Sequence, residues 1–120
     1  MEYILIIAAI FNLIGSISIW FQAPIPVTQE SKDQLPSDYM QCRIFTGGTA
    51  LLFSVIYLYV FLFPELALPL LSFGIALKLW SFASAFISYL KFNFPKDEFL
   101  KVGVANLLFA ILFIAYLLTM

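Results

Sequence analysis

Few side chains here could do chemistry within so apolar a chain, and the most conspicuous is Lys78. It lies near the middle of the apolar stretch Leu66 to Leu90, where an ammonium at the centre of a bilayer costs about 2.5 to 3.5 kcal/mol on insertion scales. Three environments would tolerate it: an uncharged amine held by neutral partners, a water-filled pocket, or an anionic ligand or partner carboxylate supplied from outside the chain. No Asp or Glu falls within an apolar stretch, because Glu2 and Glu65 stand at ends and the others lie between stretches. Counted by depth, Asn12 comes closest to the level of Lys78, with Tyr57 about a turn to one side and Asn106 about a turn to the other. Lys78, Asn12, Tyr57 and Asn106 are therefore expected to converge on one polar, ligand-binding pocket. The competing expectation is a hydrogen-bonded lock that only holds the helices together.

Other chemistries find less support. Lys78 and Ser81, at i and i+3, have the spacing of a Ser/Lys nucleophile pair, yet no oxyanion donor accompanies them and serine is routine in membrane helices. Histidine is absent and Cys42 is the single cysteine, which excludes imidazole-ligated haem, the common zinc sites and a redox pair within the chain. No metal, cofactor or catalytic residue is expected. Arg43 opens the second apolar stretch and reads as an interfacial arginine that meets a lipid headgroup phosphate. Gly47-Gly48 beyond it would let a neighbouring helix approach closely. Trp80 lies away from the usual aromatic belts, so its indole N–H needs an internal partner or faces a second chain. With a net charge of -1 and no run of like charges, nucleic acid is not an expected partner.

The elements that position these residues follow from composition. The 120 residues are 63% hydrophobic and 11% charged, against roughly half and a quarter in soluble domains, so a soluble fold is excluded. Apolar stretches at residues 3–21, 44–63, 67–90 and 99–119 are each long enough to cross a hydrocarbon core, and none alternates as a barrel strand does. The expectation is an all-α integral membrane four-helix bundle, antiparallel, one domain over residues 1–120. Connections near 64–65 and 93–98 are short, whereas residues 23–39 hold Pro24, Pro26, Pro36 and much of the charge, and form the one long polar loop. The chain opens Met1-Glu2-Tyr3 without a basic n-region, so the first stretch is expected to be a retained helix.

Small and polar residues recur at spacings of three and four: Ala8, Asn12, Gly15 and Ser16; Arg43, Gly47, Ala50, Ser54 and Tyr57; Gly74, Lys78, Ser81, Ala85 and Ser88; Gly103, Asn106 and Ala110. Such stripes are where helices meet in lipid. Lys32, Arg43, Lys91, Lys96 and Lys101 all flank the first and third connections, which places those loops in the cytoplasm and both termini outside.

At Arg43-Ile-Phe-Thr-Gly-Gly-Thr-Ala-Leu-Leu-Phe, Gly74-Ile-Ala-Leu-Lys78 and Asn106-Leu-Leu-Phe-Ala-Ile-Leu-Phe, the chain resembles small bacterial four-helix membrane proteins of the DoxX-like kind. The resemblance implies a four-helix bundle of the bacterial inner membrane and carries no reaction with it. Small multidrug transporters share length and helix count, but their first-helix glutamate has no counterpart here, where Asn12 occupies that region. The expected role is a noncatalytic accessory or interaction subunit whose partners are membrane lipids and another membrane protein or a second copy of itself. The alternative is a small transporter or ligand-binding bundle built on the midplane lysine.

Overall fold

The computed structural model describes residues 2–22 and 37–120. Among them the ordered elements are helical and no strand occurs. Helix α1 (Tyr3–Ile17) passes into a π-helical turn at Ser18–Gln22; α2 spans Ser37–Leu62; a 3-10 turn at Pro64–Leu66 leads into α3 (Ala67–Lys91). The short α4 (Lys96–Glu98), a π-helical stretch at Phe99–Val104 and α5 (Ala105–Thr119) form one further continuous run. Among the described residues four helices are long and apolar enough to cross a membrane: Tyr3–Phe21, Tyr39–Leu62, Pro64–Lys91 and Lys96–Thr119.

Proline chemistry sets the breaks. Phe63 precedes Pro64, a position barred from the helical region, and α2 stops at Leu62. Pro64 then opens the 3-10 turn, where its missing N–H costs nothing. After α3 the chain reverses through Asn93, whose φ of 58° is left-handed, a region asparagine tolerates. The Phe94 amide donates back to the Ser88 carbonyl at 3.1 Å. Pro95, extended at φ -58° and ψ 140°, starts the next helical run. Two helices begin earlier than the apolar stretches do: α2 at Ser37 rather than residue 44, and the last run at Lys96 rather than 99. Hydropathy marks the buried span, whereas backbone hydrogen bonding continues into polar ground. Most of the expected loop at 23–39, including Glu30, Lys32 and Asp33, lies outside the described residues.

The chain divides into two compact units. In the unit Leu5–Phe61, α1 buries Leu5, Ala8, Ala9, Asn12 and Ser16, a stripe of helical period. Main-chain carbonyls tie it to α2: Ser54 Oγ donates to Ala9 O at 2.8 Å, Asn12 Nδ2 to Ala50 O at 3.2 Å, and Trp20 Nε1 to Ile44 O at 3.3 Å. Gly47 is buried beneath the Trp20 indole, as expected of a close approach. Gly15, expected in the same seam, has open space where a Cβ would stand.

The second unit comprises Met1–Ile4 and Leu62–Met120. Its α3 buries Ala67, Leu71, Gly74, Lys78 and Ala85, again at helical spacing. From α5 it buries Asn106, Phe109, Ala110, Phe113 and Tyr116. Gly103 lets the backbones meet, since a Cβ there would stand 3.2 Å from that of Ala85 and 3.1 Å from the Phe99 ring. Phe99 is itself packed by Tyr89, Phe86 and Phe82, with ring centroids 5.0, 6.0 and 6.1 Å away.

Candidate functional site

Lys78 lies on the buried face of α3 and is 2% exposed. Its Nζ sits 5.2 Å from the centroid of the Phe109 ring on α5, within the range where an ammonium is attracted to an aromatic face. Asn106, one turn before Phe109, is also buried. Its Nδ2 donates to the Val102 carbonyl at 2.6 Å, so this amide is engaged by its own helical run.

Asn12 and Tyr57 belong to the other compact unit, Leu5–Phe61. Asn12 is held by its bond to Ala50 O, and Tyr57 is fully buried with its ring 6.1 Å from that of Phe53. The amide donors of both asparagines thus meet main-chain carbonyls, which is what a buried amide does in apolar surroundings to avoid an unmet donor. Ser81 is half-buried, and its carbonyl accepts the Ser84 hydroxyl at 3.0 Å. The Ser16 hydroxyl is buried and meets no hydrogen-bond partner among the described residues. No cluster of three metal-ligating side chains occurs among those residues.

A second polar centre lies where α1 ends and α2 begins. Arg43 is buried, not extended away from the protein as an interfacial snorkelling side chain would be. Its Nη2 donates to the carbonyl of Ile19, in the π-helical turn, and its guanidinium carbon lies 5.9 Å from the centroid of the Tyr39 ring. Ile19, Tyr39, Cys42, Arg43 and Thr46 line a groove of about 280 Å³. The Thr46 hydroxyl donates to the Cys42 carbonyl at 2.7 Å, and Cys42 is an exposed free thiol. Arg43 was legible from sequence; Ile19, Tyr39 and Thr46 were not, because the π turn that presents the Ile19 carbonyl has no signature in residue type.

Among the described residues Trp80 on α3 is 67% exposed, with no internal seat for its indole. Phe73, Ala76, Ser84 and Ile87 share its exposed face at spacings of three and four. No protein-family model matches this chain, and neither the curated proteins nor the solved structures include one significantly similar to it.

Proposed function

We propose that this protein is an integral membrane bundle of four antiparallel helices that works without catalysis, as an accessory or interaction subunit packing against another membrane protein or a second copy of itself. The carrying observation is Trp80. It lies roughly 17 to 20 Å from either end of α3, deep in the hydrocarbon of a spanning helix, and is exposed there. Among the described residues no acceptor meets its indole N–H, and lipid tails offer none. Ala76 and Ser84, one turn to either side, are the small residues that let a second helix come close. A partner helix that supplies an acceptor satisfies both features.

The antiparallel arrangement is supported by the order of the ties between α1 and α2, in which Ala9 pairs with Ser54, Asn12 with Ala50 and Ile19 with Arg43. The inner-membrane setting rests on the DoxX-like resemblance, and the orientation with both termini outside rests on the basic residues near the first and third connections. A reporter fused after Met120 should be active only outside the cytoplasm; activity confined to the cytosol would reverse the orientation. The transporter alternative requires a solvent-reachable lysine, and the 2% exposure of Lys78 favours the packed reading.

The test is a photo-crosslinking amino acid placed at Trp80 in native membranes, with one at Ile111, an exposed position on α5, for comparison. A discrete adduct from position 80 alone is expected, and its mass distinguishes a second copy from another protein. Monomer only from both positions would defeat the interaction role.

A further inference from the structure

The exposed face of α3 carries both halves of a contact that this chain makes once within itself. Between α1 and α2 the Trp20 indole lies over Gly47 and donates to the carbonyl of Ile44, three residues before that glycine. Helix geometry sets the offset, because a carbonyl points at the amide four residues on and so emerges beside residue i+3, where a small side chain leaves it uncovered. Its second lone pair can accept from an indole. Trp80 needs an acceptor of this kind, since none meets its N–H among the described residues. Helical side chains lean toward the N-terminus, so its indole stands over the preceding turn, at the level of Ala76. Ala76 is small and exposed, and the carbonyl of Phe73 emerges beside it. A neighbouring α3 at the same level therefore offers this indole a carbonyl and receives an indole in return.

We propose that this face pairs with the same face of a second copy, the two α3 helices running parallel about a two-fold axis along the membrane normal. A two-fold contact requires one surface to hold both the projecting group and its seat, and this one does. Phe73, Ala76, Trp80, Ala83, Ile87 and Leu90 alternate spacings of three and four, the 3.5-residue period of two parallel helices wound left-handed. In such a pair Trp80 enters a hole bounded by the partner's Ala76 and the partner's Ala83, which leave room for the ring. Partial charge is complementary as well as shape, with an N–H edge against a carbonyl oxygen in hydrocarbon that offers neither group water. A different membrane protein would have to bring both the seat and the acceptor, whereas this chain already carries them. Parallel pairing agrees with the proposed orientation, which the basic residues near the first and third connections set alike for every copy. The pairing rests on the interaction role proposed for Trp80 and names its partner.

Single cysteines in a Cys42→Ser background map the contact, Cys42 being the chain's one cysteine. In native membranes oxidised with iodine, Phe73→Cys, Ala76→Cys and Ile87→Cys should each give a disulfide-linked dimer. Leu68→Cys and Phe86→Cys, exposed on α3 but to either side of this face, should not. Positions 73 and 87 lie about 21 Å apart along the helix, so same-residue dimers at both require parallel chains. Linkage of position 73 only to position 87, or equal linkage at all five positions, would overturn the proposal. Trp80→Phe keeps a ring and deletes the N–H; with two such bonds in each dimer, it should weaken association in lipid vesicles about tenfold, read by energy transfer between copies labelled at the C-terminus. Ala76→Ile, which fills the seat, should abolish association, and Ile111→Ala on the exposed face of α5 should leave it unchanged. Unchanged association in Trp80→Phe or in Ala76→Ile would overturn the pairing. If Ala76→Ile fails to insert, the cysteine pattern and Trp80→Phe decide. Capture of another protein by the crosslinker at position 80, with no cysteine dimer, would keep the interaction role and reject the second copy. No product from either experiment would end both.

Discussion

Gly47→Ala is expected to weaken the α1–α2 pair by about 1 to 3 kcal/mol, whereas Gly48→Ala beside it should be neutral or stabilising. A Cβ at Gly47 would overlap Trp20 Nε1 and stand 2.6 and 2.7 Å from Cδ1 and Cε2 of the same ring. Real Cβ atoms do not approach so closely, so the indole must move. Moving it breaks the bond from Nε1 to the Ile44 carbonyl, one turn earlier on α2. At Gly48 the nearest atom to an added Cβ is Trp20 Cζ2 at 3.9 Å, an ordinary contact, and alanine gains helix propensity of up to about 1 kcal/mol. Two adjacent glycines thus carry opposite signs for reasons a helix-propensity scale does not contain. Unfolding in detergent measures both variants, and a double-mutant cycle with Trp20→Ala should return a coupling of about 0.5 to 3 kcal/mol for Gly47. A Gly47→Ala protein as stable as its Gly48→Ala neighbour would show that the indole does not occupy this seat.

Lys78→Ala should cost about 2 to 5 kcal/mol, the range for truncating a long buried side chain, while Lys78→Met should leave stability within about 1 kcal/mol of the parent or raise it. The two variants separate packing from charge. Alanine empties the space that the four-carbon stem fills on the buried face of α3. Methionine refills most of it and deletes the ammonium. Two opposing terms then nearly cancel: the attraction to the Phe109 ring, worth about 2 kcal/mol when desolvated, and the penalty of about 2.5 to 3.5 kcal/mol for holding a charge at that depth. Thermal melts in detergent distinguish the pair. If Lys78→Met proves as damaging as Lys78→Ala, the polar contacts of the amine carry the stability and the balance above is wrong. If it folds normally but loses the adduct at Trp80 or a cellular phenotype, the ligand-binding alternative gains over the accessory role.

The helical class and the four long apolar helices were legible in the sequence. In hydrocarbon every backbone group must bond within its own helix or a closed barrel, and the four stretches lack the alternation of barrel strands. The inward stripes were legible too, because 3.6 residues per turn converts spacing into a face: Ala8, Asn12 and Ser16 on α1, and Gly74, Lys78 and Ala85 on α3, are buried. Trp80 shows the limit of that inference, since depth left its indole either an internal partner or an external one, and only the structure shows it exposed among the described residues.

The destinations of the polar groups belong to the tertiary structure alone. A common depth put Asn12 and Asn106 near the level of Lys78, but it could not say that an amide N–H of each reaches a main-chain carbonyl, that of Ala50 and that of Val102. Ile19, whose carbonyl Arg43 meets, and Trp20, which lies over Gly47, both stand in the π turn that follows α1, which no residue type announces. Spacing along a helix specifies which face a donor occupies. Which acceptor it finds there depends on differences of about an ångström in how two helices approach, because a hydrogen bond formed near 2.9 Å has largely gone by 3.6 Å.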